Sequence, residues 1–596
     1  MSYIGQTVPP FLERTVGSSV PNPRFNTPVS TSSPVTHSPC IRTEYFHAEL
    51  VYIHRSSLDS CAEEPQPESK DEIQNLEQGP THECNEVQYP GRKVALPVVL
   101  SVCLAVFLTA LDRTIIGTAV PTISNHFHSF ADISWYESAY LLTFAALQLP
   151  MGKVYTFFPS KWTFITIVII FEIGSIICAA APNSTALIVG RAIAGIGSAG
   201  TNTGAQVIFA DLFPLEKRPK YQGFLGATFG LASIAGPLLG GVFTTKVSWR
   251  WCFWINVPIG GVALAVLVLL LPAKAAPQSF TGKSFLQRVR QFDPVGTALL
   301  LPGLILLLLA LQWSGNQYSW GSTRVVVTLV LGIVLLLAFG VSQRWAGENG
   351  AVPPRILRQR SIIAGAAVSL GYGSTLVIVT FYLPIWYQAI KGLSAVDAGI
   401  RMIGYFLTTV FAVIGSGVIV SKTGYYTPWL IGGTALLIVG NGLLTTFRVN
   451  TSTGESIGYQ IVIGTGMGFS LAQCYNAAQT VLSREDIPIG ITILSFCNFV
   501  GGTIFVSVCQ GILSSTLRTR LRESIPGLDV SSITSSGASD LSSLVSTDQL
   551  PLLLEAYNKG INNVFYCALG LSCLAFAASW FVEWKSVKKE PGVTED

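Results

Sequence analysis

Leu187-Ile-Val-Gly-Arg191-Ala-Ile-Ala-Gly195-Ile-Gly197-Ser-Ala-Gly200 is an apolar run of small residues with one guanidinium near its start. That group keeps its charge at any cellular pH. Inside a membrane span it costs from about 3 to more than about 10 kcal/mol unless it faces a partner or a water-filled cavity. Arg191, Gly195, Ser198, Asn202 and Gln206 follow one another at spacings of four, three, four and four. With roughly 100° per helical residue they form one narrow stripe. Lipid does not tolerate such a stripe, so it faces either neighbouring helices or an aqueous pathway. The plainer alternatives are an arginine that snorkels from a helix end and a ladder of interhelical hydrogen bonds worth about 0.6 kcal/mol each.

The surrounding chain is built for a bilayer. Of 596 residues, 49% are hydrophobic and 12% charged, about half the charged share of a soluble domain. Apolar segments, each long enough to cross a hydrocarbon core about 30 Å thick, recur at 94–123, 134–157, 161–181, 185–209, 221–245, 251–272, 294–313, 323–345, 361–389, 397–420, 427–447, 455–481, 489–515 and 560–583. The expected fold class is therefore an all-α polytopic membrane protein with about fourteen transmembrane helices. Residues 1–93 differ, being rich in Pro, Ser, Thr, Glu and Gln, and read as a disordered cytoplasmic tail. Residues 516–559 read as a long extracellular loop and 584–596 as a second cytoplasmic tail. The eleven cysteines show neither metal-ligand spacing nor a disulfide framework.

Lys and Arg placement sets the orientation. With the tail inside, the inner loops collect Arg92, Lys93, Lys161, Lys217, Arg218, Lys220, Lys274, Arg355, Arg358 and Lys585, whereas the first two outer loops hold no Lys or Arg. Lys246, Arg250 and the group Arg518, Arg520 and Arg522 are exceptions on the outside. The net charge of +4 thus reflects topology, and no basic stripe suits nucleic acid. Two glycosylation sequons, at Asn183 and Asn450, fall outside in this arrangement.

Three further ionisable groups lie within spans. Asp112, in Leu111-Asp112-Arg113-Thr114-Ile-Ile-Gly117-Thr118-Ala-Val-Pro121, needs a positive partner or a proton. Arg113 follows it directly, but consecutive helix residues point in different directions, which disfavours a pair between them. Glu172, near the middle of the third span, either loads and releases a proton or stays protonated as a donor to a neighbouring helix. The fifth span carries Gly226, Gly230, Gly236, Pro237, Gly240 and Gly241. Such glycines let helix backbones approach closely, and the proline allows a bend.

These residues resemble the major facilitator superfamily. The Arg191 run is similar to that family's fourth-helix motif, and Gly236-Pro-x-x-Gly240-Gly241 to its antiporter motif on the fifth helix. The first-span signature, together with Trp249-Arg-Trp-Cys-Phe-Trp-Ile-Asn-Val-Pro-Ile-Gly260, resembles the fourteen-span drug:proton antiporters, in particular fungal efflux pumps for mycotoxins and other secondary metabolites. The resemblance covers roughly residues 90–585. It implies the major facilitator fold, with six-helix halves at 94–272 and 361–583, two inserted helices at 294–345, and a central cavity alternating between the two sides. It also implies that Arg191 takes part in proton coupling and that the fifth-span motif, as a gating element, favours outward exchange. Asp112, Arg113 and Glu172 are the expected companions of Arg191 in proton coupling. One departure stands out. Where the family places an aspartate in the loop after the second helix, Gly152-Lys-Val-Tyr-Thr156 carries a threonine, and Gly417-Val-Ile-Val-Ser421 in the second half also lacks an acid. A charge-based latch is therefore not expected at these loops.

The second half offers neutral polar and aromatic groups instead. With Asn202 and Gln206, the residues expected to line a substrate cavity are Tyr382, Trp386, Gln473, Asn476 and Asn498, a set that suits an amphipathic, largely neutral organic molecule. The expected partners are that small molecule, protons and the lipid bilayer, in a monomer of the plasma membrane, with a vacuolar or vesicle membrane as the alternative. No cofactor, metal or enzymatic constellation is called for, and the absence of a Walker A loop argues against direct ATP drive. Proton-coupled export is the leading reading. An uptake permease or siderophore-type carrier of the same fold competes with it, as does a non-transporting receptor or scaffold.

Overall fold

The computed structural model describes residues 89–129, 132–273, 290–314, 318–524 and 548–588. The expected tail up to residue 88, the connection 274–289, residues 525–547 of the long loop and the chain end from 589 lie outside the described residues. The helices are α1 (Arg92–Phe127), α2 (Ile133–Phe157), α3 (Ser160–Ala180), α4 (Ser184–Leu212), α5 (Arg218–Lys246), α6 (Trp251–Trp254), α7 (Asn256–Leu270), α8 (Pro294–Trp313) and α9 (Thr323–Ala346). They continue with α10 (Pro354–Arg358), α11 (Arg360–Lys391), α12 (Ala395–Arg401), α13 (Ile403–Thr423), α14 (Thr427–Leu444), α15 (Thr453–Leu471), α16 (Gln473–Val481), α17 (Ile487–Ser524) and α18 (Leu550–Ser579).

Each expected span is helical, but three are broken. The sixth is interrupted at Ile255, the tenth at Met402 and the twelfth at Ala472, where one helix stops and another begins. Among the described residues, eleven helices are long and apolar enough to cross a membrane by length and composition. The expected spans at 134–157, 185–209 and 455–481 fall short of that hydropathy. In α4 the physical reason is visible, since the polar and small residues that lower its hydropathy, among them Arg191, Ser198, Thr201, Thr203 and Gln206, are buried against other helices. The opposite extreme is α9, whose most apolar window is only 17% buried, as expected of a helix that faces lipid on most sides.

Helix ends follow local chemistry. Asn183 caps α4 by accepting a 2.9 Å hydrogen bond from the Ala186 amide, and Ser452 with Glu455 forms a capping box on α15. At the other end of α11, Gly392 takes the left-handed conformation at φ 62°, which a glycine adopts without steric cost.

Packing divides the helices into two groups. In the first, α4 packs on α3 and α2, while α1 packs on α5 and α7; in the second, α11 packs on α17 and α18, and α15 on α13 and α14. The close approach of α3 and α4 explains the small residues of the Arg191 run. A side chain at Gly174 would strike the Ala194 backbone, and one at Gly197 would strike the Phe171 backbone. The groups meet along α5 with α13 and along α2 with α17, and the inserted pair α8–α9 packs against α2 and α17 through α8.

Candidate functional site

The stripe on α4 runs from a buried ion pair to the wall between the two helix groups. At its start, Arg191 Nη1 donates a 2.5 Å hydrogen bond to Asp112 Oδ2 of α1, and neither side chain is exposed to solvent. Arg191 Nε donates to the Tyr136 carbonyl at 2.8 Å. The ring of Tyr140 lies under the guanidinium at 4.4 Å, a cation–π contact that strengthens when water is excluded. Asn256, at the start of α7, donates to Ser175 Oγ at 3.1 Å and lies 3.5 Å from Asp112 Oδ1. Breaking such a pair from one side leaves an uncompensated buried charge and costs about 3–5 kcal/mol.

Tyr140 separates this pair from a cavity of about 330 Å³ between the groups. Its hydroxyl lies 2.6 Å from Ser198 Oγ and 3.1 Å from the Thr109 carbonyl, and all three residues border the cavity. Further along the stripe, Asn202 and Gln206 border it as well, as does Asn498 of α17.

Four residues expected to line the cavity stand elsewhere. Tyr382 and Trp386 are fully buried in the second group, where the Tyr382 hydroxyl donates to the Val506 carbonyl at 3.1 Å and Trp386 Nε1 donates to Asn558 Oδ1 at 2.8 Å. Gln473 donates to Ser416 Oγ at 3.3 Å, and Asn476 donates to Gln473 Oε1 at 3.0 Å. Tyr382, Trp386 and Gln473 tie helices together inside one half, whereas Asn476 bonds within its own helix. Aromatic residues that do reach the cavity include Tyr372, Tyr405 and Tyr475.

Arg113 is likewise placed apart from the coupling pair. It is half-buried on the cavity wall, with its guanidinium 5.5 Å from the centre of the Phe499 ring. Glu172 is buried against α7, where a side chain on Gly260 would collide with its carboxylate. Neither of its oxygens has a hydrogen-bond partner.

The fifth-span glycines serve two different contacts. Gly226 and Gly230 lie against Val413 and Val410 of α13, in the other group, while Gly236 and Gly240 lie against Thr114 and Thr118 of α1. Gly241 has nothing within 4 Å of where a side chain would start, so close packing does not account for it. The Thr114 hydroxyl also donates to the Ala232 carbonyl at 3.1 Å, fixing α1 to α5.

Among the described residues, the hydrogen bonds joining the two groups lie toward the end that carries Arg218 and Arg355. Ser421 donates to the Glu216 carbonyl at 2.6 Å. Gln206 Oε1 accepts from both Gln222 and Gln479, the latter at 3.1 Å, and Asn202 donates to Ser495 at 3.4 Å. Close backbone packing adds to this closure, since a side chain on Gly417 would strike the Pro219 carbonyl and one on Gly223 would come within 2.8 Å of the Val413 carbonyl. The two segments that lack the usual acid, expected as loops, are the last turns of α2 and α13 and meet the opposite group through neutral contacts, with the Thr156 hydroxyl 3.5 Å from the Glu485 carbonyl. Asn183 and Asn450 are both exposed at the other end.

Two packed helix groups around a shared cavity, joined by α5–α13 and α2–α17, agree with the match of residues 102–506 to the Major Facilitator Superfamily. The chain belongs to the major facilitator superfamily. An efflux pump of Arthroderma benhamiae, MFS1, is 47% identical over 500 residues, 84% of this chain and 92% of that protein. The rubrofusarin-specific efflux pump aurT of Gibberella zeae is 43% identical over 85% of this chain and 92% of its own length. The efflux pump aflT of Aspergillus parasiticus is also 43% identical, over 84% and 97%. Among solved structures, the human organic anion transporter MFSD10 covers 80% of this chain and 99% of its own with a TM-score of 0.50; at 13% identity it speaks for the fold alone.

As a major facilitator protein, the chain shows three features that sequence reasoning passed over. Asn256 sits inside a quoted motif, yet nothing in its spacing points to Asp112. Tyr140 is one aromatic among many in an apolar span. Gln222 falls one residue after the aromatic Tyr221 and marks no period of its own.

Proposed function

We propose that this superfamily member is a proton-coupled exporter of small amphipathic organic compounds, such as xenobiotics, mycotoxins or other secondary metabolites. The observation that carries the reading is the fully buried Asp112–Arg191 pair set one tyrosine behind a cavity between the halves. Protonation of Asp112 removes the counter-charge of Arg191, and the guanidinium then pulls differently on Tyr136 and Tyr140 of α2. Cargo in the cavity bears on the same tyrosine from its other side. Proton and cargo thus act on one element, and each shifts the balance between two conformations by its differential affinity for them.

Glu172, with neither oxygen partnered, is the second candidate proton carrier. The fifth-span glycines let α5 slide against α1 and α13 as the halves rock. With the basic end in the cytoplasm, the conformer described is closed to the cytoplasm and its cavity belongs to the outward-facing side. The named efflux pumps among the relatives support export as the direction. The protein then works in the plasma membrane, or in a vacuolar or vesicle membrane, as a monomer, with Asn183 and Asn450 available for glycosylation.

Reconstitution into vesicles with an imposed pH gradient tests the reading. Wild-type protein moves a fluorescent amphipathic cargo against its gradient while protons flow the other way, and Arg191→Ala protein does not. Undiminished proton-driven export by that variant overturns the proposal.

A further inference from the structure

The cavity has an uneven charge. Among its described lining residues there is one ionised group, Arg113, and no carboxylate. Asp112, its neighbour in sequence, is committed to Arg191 on a different face of α1. The only partner of the Arg113 guanidinium on the described wall is the ring of Phe499 at 5.5 Å. An aromatic face can stabilise a cation only modestly, and this one leaves the N–H groups of the fork free to donate.

From Arg113 a row of rings leads along the wall. Phe499 is 4.8 Å from Phe144, and Phe144 lies nearly parallel to Tyr140 at 6.4 Å with a 5° interplanar angle. All four side chains border the same cavity. Amide groups of Asn202 and Asn498 border it too and can bond neutral oxygens of a cargo. A guanidinium binds a carboxylate through two parallel hydrogen bonds and stacks on flat π systems.

We propose that the cargo is a flat aromatic molecule bearing one anionic oxygen, a carboxylate or an ionised phenol, which pairs with Arg113 while its rings lie along Phe499, Phe144 and Tyr140. The inference deepens the export reading by naming the substrate class of that cavity, and it makes Arg113 a cargo-recognition residue, separate from the proton-coupling set. Closing the cavity around an uncompensated guanidinium carries a large desolvation cost. An anionic cargo supplies the missing counter-charge, so occupied transporter closes more readily than transporter holding a neutral analogue.

A matched pair of ligands tests this without any proton gradient. Anthraquinone-2-carboxylic acid and its methyl ester are titrated into purified protein at pH 7, with binding read by quenching of tryptophan fluorescence. Wild-type protein binds the acid about 10- to 100-fold more tightly than the ester, the range for a charge-assisted hydrogen-bonded pair. Arg113→Gln brings the acid down to the affinity of the ester and leaves the ester within about twofold of wild type, and Arg113→Lys keeps part of the preference. Size-exclusion profiles check that both variants fold. Equal loss of both ligands in Arg113→Gln, an unchanged preference, or wild-type protein that binds neither ligand overturns the inference. Because binding is read at rest, failure of coupled export in vesicles counts against the functional reading alone.

Discussion

Asp112 and Arg191, 79 residues apart in sequence, meet through a 2.5 Å hydrogen bond in a place that solvent does not reach. The pair solves a problem set separately by two helices, each of which carries a charge that lipid would reject. Asp112 gives Arg191 a counter-charge, the Tyr136 carbonyl accepts from Arg191 Nε, and the Asn256 amide lies 3.5 Å from Asp112 Oδ1. One guanidinium nitrogen, Nη2, stays without a hydrogen-bond partner, so the network is not saturated and has room to rearrange.

Removing one member should be worse than removing both. Arg191→Met or Asp112→Leu alone is expected to lower stability by about 3–5 kcal/mol, whereas the double variant recovers most of that loss. Thermal unfolding in detergent measures the cycle. A double variant no more stable than the weaker single variant would show that the pair is not the unit described.

Glu172→Gln is expected to leave folding intact, because no hydrogen bond is lost at either oxygen. Its effect should appear in the pH dependence of transport. A profile identical to wild type would leave Asp112 as the sole proton carrier. Gly260→Ala, by contrast, drives a methyl group into the Glu172 carboxylate and should cost about 1–3 kcal/mol by overpacking.

The glycines of α5 separate cleanly by contact. Gly236→Ala forces a methyl group into Thr114, and Gly230→Val presses on Val410; each should cost about 1–3 kcal/mol and reduce transport. Gly241→Ala meets nothing within 4 Å and should change stability by less than about 1 kcal/mol, in the stabilising direction if at all. A large loss of transport in Gly241→Ala at normal expression would point to a role for that position in another conformation.

Gln206 holds two amides from different halves at one oxygen. Gln206→Leu leaves the Gln222 and Gln479 amides without their shared acceptor, at about 1–3 kcal/mol for each group that stays buried. The closed basic end should therefore open about tenfold more often or better. Cysteines placed at Glu216 and Ser421, whose segments touch through a 2.6 Å hydrogen bond, should cross-link faster in an otherwise wild-type background than in the Gln206→Leu background. Equal cross-linking rates would mean that the glutamine cluster does not hold the halves together.

The reach of the sequence is clearest on α4 and α11. Hydropathy and helical period are local properties, so the chain by itself determined where apolar helices run and that Arg191, Ser198, Asn202 and Gln206 share one face. It also marked Asp112 as a charge in need of a partner and Arg113 as a poor one. It did not distinguish Asn202, which borders the cavity, from Asn476, which bonds a neighbour within one half. A polar side chain in an apolar helix looks the same whether water, cargo or another helix satisfies it. Only the tertiary structure decided those cases, because the rotation and tilt of each helix are set by its packing neighbours. That packing brought Asp112 to Arg191, buried Tyr382 and Trp386 in the second half, and turned Arg113 toward the cavity.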